Sequence, residues 1–125
     1  MTTPVKEPTA FDVHQPIRSG ADLMQWRRTL GISRPVYAAL SDCSERTLAT
    51  QEAQRHLELD KLRNLNETHR LLMGLCEIME PANVAPWLNE PNDWFDGQTP
   101  LKVIHSGKID QVWDMIYHTR EGGFS

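Results

Sequence analysis

The stretch SRPVYAALSDCSERTLATQ, residues 33–51, decides how the rest of the chain is read. Ser33 is a good helix N-cap, and Pro35 stands in the first turn, where its missing N–H costs nothing. Val36, Tyr37 and Leu40 carry the short helix that follows. Ser41-Asp42-Cys43 is a tight connection, and Ser44 caps a further helix that carries Leu48. The small residue Ala38 lies five positions after the first cap, and the second cap lies eleven after it. That is the spacing of a helix-turn-helix, in which two short helices cross closely and the second can enter the DNA major groove. Two positions depart from the usual pattern. Asp42 takes the turn place usually held by Gly, and Ser41 stands where a large aliphatic side chain often packs. The candidate DNA-contacting residues are Arg34, Ser44, Glu45, Arg46, Thr47, Thr50 and Gln51. Arg46 suits a guanine edge or a phosphate, and Gln51 an adenine edge.

Upstream, Leu23, Trp26 and Leu30 recur as one face of a short amphipathic helix closed by Gly31. Residues 1–19, rich in Pro and Thr and without a sustained period, are expected to be a flexible arm. Downstream, Leu59, Leu62, Leu65, Leu72, Cys76 and Met79 form one stripe of a long helix over about 57–79, stopped by Pro81. His69 sits on that stripe and reads as a core or boundary residue with one hydrogen bond. Residues 82–88 can make a short helix, and Thr99-Pro100 starts another that Ser106-Gly107 ends. Ile109, Val112, Trp113, Ile116 and Tyr117 then follow helical spacing with a wide apolar face, closed by Gly122-Gly123. No stretch alternates for long enough to be a strand. The fold class is all-α. Residues 1–19 form the arm, 20–56 the helix-turn-helix domain, 57–80 a long linking helix, and 81–125 a small helical C-terminal domain.

Composition limits the function classes. The chain has 125 residues and a net charge of −4, which argues against a dedicated nucleic-acid coat. The charge is uneven. Residues 20–56 hold five basic and four acidic side chains, 57–80 three and five, and 81–125 three and six. DNA contact therefore belongs to the first of these segments, and the acidic C-terminal part should meet another partner. The longest apolar run, residues 71–76, is far too short to cross a bilayer, and the N-terminus has no apolar signal region. Two cysteines, Cys43 and Cys76, fit half-buried thiols in a reducing cytoplasm. The five histidines and two cysteines show no metal-ligand spacing, and no phosphate loop or nucleophile elbow is present. Glu52 and His56 lie one turn apart, a pair of the kind chance supplies. No catalysis, metal or cofactor is expected.

One further run carries recognition. Trp87-Leu88-Asn89, Pro91-Asn92 and Phe95-Asp96-Gly97-Gln98-Thr99-Pro100-Leu101, followed by Gly107 and Val112, resemble the toxin-binding domain of the Xre/MbcA/ParS antitoxin family. Ser44-Glu45-Arg46-Thr47-Leu48-Ala49 is similar to that family's reading helix, and the resemblance extends over residues 21–125. Asp96 replaces the first Gly of the family's Gly-Gly pair. The resemblance implies an antitoxin in a toxin–antitoxin system. Its partner would be a RES-domain toxin that destroys NAD, inhibited when the C-terminal domain covers the active-site cleft. The complex would act as a repressor of its own operon, so the implied partners are that toxin and operator DNA, with a homodimer or a hetero-oligomer with toxin as the assembly. Trp87, Trp94, Phe95, Trp113 and Tyr117 crowd the same region, and aromatics anchor interfaces. Trp87 and Trp113 are assigned to the core. Lys102, His105, Lys108, Gln111, Arg120, Glu121 and Phe124 are the candidate toxin contacts, and residues 81–125 are expected to suffice for neutralisation. The rival readings are a stand-alone transcription regulator and an adaptor that uses the C-terminal module for an unrelated partner.

Overall fold

The computed structural model describes residues 12–122. Among them it is wholly helical: α1 Gly20–Thr29, α2 Arg34–Leu40, α3 Glu45–Glu52, α4 Arg63–Cys76, α5 Pro81–Leu88, α6 Pro100–His105 and α7 Ile109–Arg120. Short 3-10 turns lie at Leu59–Lys61 and Asp93–Phe95. The caps are the ones the sequence supplies. The hydroxyls of Ser19, Ser33, Ser44 and Thr99 accept hydrogen bonds from the amides of Asp22, Val36, Thr47 and Lys102. Each satisfies an amide that the first helical turn leaves without a partner.

Helix α3 packs on α1 and α2, and Leu48 and Ala38 are both buried there. Asp42 takes the left-handed turn conformation at φ +56°, so the aspartate does the work of the usual glycine. Gly20 is needed for a different reason. A Cβ there would collide with the backbone carbonyl groups of Gln51 and Glu52, so the start of α1 lies directly against the end of α3. Ser41 is buried, and its hydroxyl meets that of Thr68 at 2.7 Å. Because the Thr68 hydroxyl donates to the Asn64 carbonyl, Ser41 is the donor of the pair. A polar contact therefore replaces the aliphatic packing expected at Ser41.

Two expectations change in the structure. Within the arm 1–19, residues 1–11 lie outside the described region, but 12–19 are anchored. The indole of Trp26 donates to the Val13 carbonyl, and the amide of Leu57 donates to the Arg18 carbonyl. The linking helix is shorter than 57–79. Leu57 and Leu59 turn into the core around the 3-10 turn, and Leu62, at φ −107° and ψ 83°, is not helical. The buried face of α4 is Leu65, Thr68, Leu71, Leu72 and Leu75, while Cys76 and Met79 are only half-buried. The helix thus starts at Arg63, and its stripe is rotated from the one periodicity suggested.

α4 packs on α5 and α7, and α6 joins α7 back to α2. The Tyr37 hydroxyl donates to the Leu65 carbonyl at 3.0 Å, tying α2 to α4. One continuous apolar cluster runs from Leu23 and Trp26 through Leu71, Leu72 and Leu75 to Val112 and Ile116. Helices α1–α3 and the C-terminal helices share that core.

Candidate functional site

The first candidate face belongs to α3. Ser44, Glu45, Arg46, Thr47 and Thr50 are exposed, and Gln51 is half-buried. Some of their hydrogen-bonding capacity is used locally. The Ser44 hydroxyl caps the helix and donates to the Thr47 hydroxyl, and Thr50 donates to the Arg46 carbonyl. Arg46 is an exposed cation on this face.

Arg34 is placed elsewhere. Its Nε and Nη2 donate to Glu52 Oε1 at 3.1 and 2.9 Å. Arg27 donates to both oxygens of the same carboxylate, at 2.7 and 3.0 Å, and its Nη1 donates to the Ile32 carbonyl. Arg27 and Glu52 are 5% and 7% exposed, so this is a buried ion pair with a second, 39% exposed arginine side chain on its rim. Burial pushes the Glu52 carboxyl up, but the hydrogen bonds from Arg27 and Arg34 outweigh it and hold the group below its ordinary value. Arg34 therefore helps fasten α3 to α1 and α2, apart from the α3 row of candidates. The Glu52–His56 pair does not form. The Glu52 carboxylate turns inward, and His56 lies exposed beyond the end of α3.

The C-terminal candidates separate into two groups. Lys102 and His105 on α6, and Lys108 and Gln111 at the start of α7, are exposed near the α6–α7 turn. Arg120 and Glu121 lie at the other end of α7, about 18 Å along the helix from Lys108. Phe124 lies outside the described residues. The turn before α6 keeps the shape its motif needs, because Asp96 is left-handed at φ +58° and is followed by Gly97 at φ +85°. As at Asp42, an aspartate adopts the conformation of a missing glycine.

The aromatics of this region fall into three ring contacts. Trp87 and Trp113 are half-buried and pack against the core; Trp87 meets the buried Phe95 edge-on at 6.3 Å. Trp94 and Tyr117 are 50% and 49% exposed. Trp94 lies 5.5 Å from the ring of His118, and Tyr117 stacks on Trp113 at 5.8 Å. The Arg120 guanidinium sits over the Tyr117 ring and donates to Glu77 Oε1 at 2.6 Å. Periodicity placed Tyr117 on the apolar face of α7. The signal it lacked was the partner helix, since only the position of α4 shows which part of that wide face remains open. Glu77, on the turn after α4, was missed for the same reason.

His69 packs on Trp26 at 4.5 Å between ring centres, and its Nε2 is buried without a hydrogen-bond partner. Burial holds its imidazole below the ordinary value. Cys43 and Cys76 are half-buried, and burial pushes both thiols up. Among the described residues no group of three or more His, Cys, Asp or Glu is placed to hold a metal ion. No helix among them is long and apolar enough to cross a membrane.

Residues 79–122 match the family model of the antitoxin Xre/MbcA/ParS C-terminal toxin-binding domain. The match takes in α5, α6, α7 and the Asp96-Gly97 turn, and it bears out the resemblance read from the Trp87–Leu101 motif. It supports an antitoxin role with a toxin as partner. No curated protein and no solved structure matches the chain.

Proposed function

We propose that this chain is a cytoplasmic antitoxin that neutralises a RES-domain, NAD-degrading toxin by binding it and covering its active site. We further propose that the complex represses its own operon through α2 and α3. The observation that carries the first part is the match of residues 79–122 to a toxin-binding domain. The exposed aromatics Trp94 and Tyr117 in that segment support it, because large half-exposed rings are typical interface anchors. The DNA-binding part is supported by the geometry of α2 and α3, with its two serine caps, its left-handed Asp42 and its outward Arg46. The surface assigned to DNA is Ser44, Glu45, Arg46, Thr47, Thr50 and Gln51. Arg34 is dropped from it, because Glu52 holds that guanidinium. One basic side chain on so short a helix gives weak monomer binding, so operator recognition is assigned to a dimer or to the toxin complex.

The test is co-expression with a RES-domain toxin of the host organism. Toxin alone should deplete cellular NAD, and the pair should restore both NAD and growth. If NAD stays depleted while both proteins accumulate, the reading is wrong. The helix-turn-helix geometry also favours the stand-alone regulator. That alternative predicts tight operator binding by the isolated chain and no toxin in the purified material.

A further inference from the structure

An open cleft of about 920 Å³ runs between α4 and α7. The edge of the Trp113 ring rests on Gly74, where a Cβ would come within 2.9 Å of it, so the glycine lets the two helices close over the indole. Tyr117 continues the aromatic wall. The chain itself displays what such a wall takes, since Arg120 lays its guanidinium over Tyr117 while bonding the Glu77 carboxylate. The rest of the lining includes Glu67, Asp110 and Asp114 against one further cation, Arg70. Acid thus exceeds base beside the aromatic wall.

We propose that this cleft seats an arginine- or lysine-bearing segment of the toxin, its cation entering over the Trp113–Tyr117 pair between the α7 carboxylates Asp110 and Asp114. The proposal rests on the toxin-neutralising reading and adds to it a surface and a partner chemistry. Three observations favour the toxin as occupant. α7 lies within the matched toxin-binding segment, so the cleft continues that surface. The acidic excess selects a basic segment and repels nucleic acid. The exposed Tyr117 and the Trp94–His118 contact extend the aromatic surface around α7 beyond the cleft, as a protein partner needs and a small ligand does not. The surface adjoins Lys108 and Gln111 at the start of α7 and includes Arg120, and it recruits α4, which lies outside the matched segment.

The experiment is titration of the full-length protein with the same RES-domain toxin at several ionic strengths. It compares wild type with the pair Asp110→Asn and Asp114→Lys, with Tyr117→Ala, and with the control Glu90→Lys outside the cleft. Circular dichroism establishes that each variant is folded. The cleft variants should weaken toxin binding by about tenfold or more while the control does not, and the loss should shrink as salt rises. If wild type binds toxin and both cleft variants match it within twofold, the cleft proposal falls and the antitoxin reading survives. If wild type binds no toxin, the antitoxin reading falls and takes the proposal with it. If the variants abolish self-association and leave toxin binding intact, the occupant is a second copy of this chain and the proposal is overturned.

Discussion

Replacing Glu52 by Ala should be among the most damaging single changes in helices α1–α3. The carboxylate accepts two hydrogen bonds from Arg27, whose side chain is almost entirely out of water. Without it, the Nε and Nη2 donors of Arg27 are left buried and bare, and only Nη1 keeps its bond to the Ile32 carbonyl. Removing one partner of a buried pair costs about 3–5 kcal/mol, because the remaining charge is stranded. Arg34 adds little to the loss, since its exposed guanidinium can rehydrate. A domain of this size has a total stability on the order of 10 kcal/mol, so the variant keeps about half to two-thirds of it. At roughly 4 °C per kcal/mol, its melting temperature should fall by about 12–20 °C. Urea titration with linear extrapolation measures the loss directly, and the midpoint should drop with little change in slope. The double replacement Arg27→Met with Glu52→Leu should recover much of it, because an apolar pair leaves no stranded charge. A cost below about 1 kcal/mol for Glu52→Ala, or a double variant no better than the single one, would refute the claim that α3 is fastened by a desolvated charge pair.

The same carboxylate sets an acid limit. Its pKa in the folded protein lies below the ordinary 4.5, so its stabilising contribution is complete above that pH and is lost as pH falls through the folded value. Wild type should therefore lose stability more steeply than Glu52→Gln as pH falls below about 4.5 in urea melts. Gly20→Ala should destabilise by about 3 kcal/mol, since its Cβ meets backbone rather than a movable side chain; urea unfolding checks this. Thr68→Val should cost about 1–2 kcal/mol by leaving the buried Ser41 hydroxyl without its acceptor, and adding Ser41→Ala should return most of that in a double-mutant cycle. In gel-shift titrations with operator DNA, Arg46→Ala should weaken binding by about tenfold or more, whereas Arg34→Ala should leave the affinity of the folded protein within about twofold.

Much of this architecture could be read from local chemistry. The serine and threonine caps, the proline starts and the spacing from Ser33 to Ser44 act within one or two turns of helix, and the structure uses each where the sequence offers it. The two aspartates in glycine positions show the same principle from the other side. The backbone demand at Asp42 and Asp96 is set by the turn, and a short polar side chain that tolerates positive φ meets it. What local chemistry could not supply was depth. Arg27 carries no sequence signal for burial, because its acceptor lies 25 residues away on α3. The bond from Arg34 to Glu52, 18 residues on, is equally without a local signal. The stripe on α4 differs because Leu59 and Leu62 match helical spacing but precede the helix, which starts at Arg63, and Leu59 turns into the core with Leu57.

The shared core bears on how the two halves can be tested. From sequence, residues 81–125 are expected to be a separable module that neutralises the toxin alone. In the structure Val103, Ile104, Val112 and Ile116 belong to a cluster that also contains Leu71, Leu72 and Leu75 of α4, and α6 packs on α2. Cutting before Pro81 would expose that face on a fragment of about 45 residues, near the lower limit at which a chain folds without disulfides or metals. Failure of such a fragment to protect cells would then report lost folding as readily as lost toxin contact. Point changes on exposed positions of the intact chain, such as Asp114 and Tyr117, avoid that ambiguity because they leave the cluster whole. The common core gives a physical route through which the two proposed activities can be coupled. If a toxin seated against α7 stiffens α4, it acts on the helix to which α2 is tied through Tyr37–Leu65 and Ser41–Thr68. Thr68→Val in the full-length chain should therefore loosen the dependence of operator affinity on toxin while leaving toxin affinity itself near wild type. Equal toxin dependence in the two proteins would mean that the halves share a core without communicating through it.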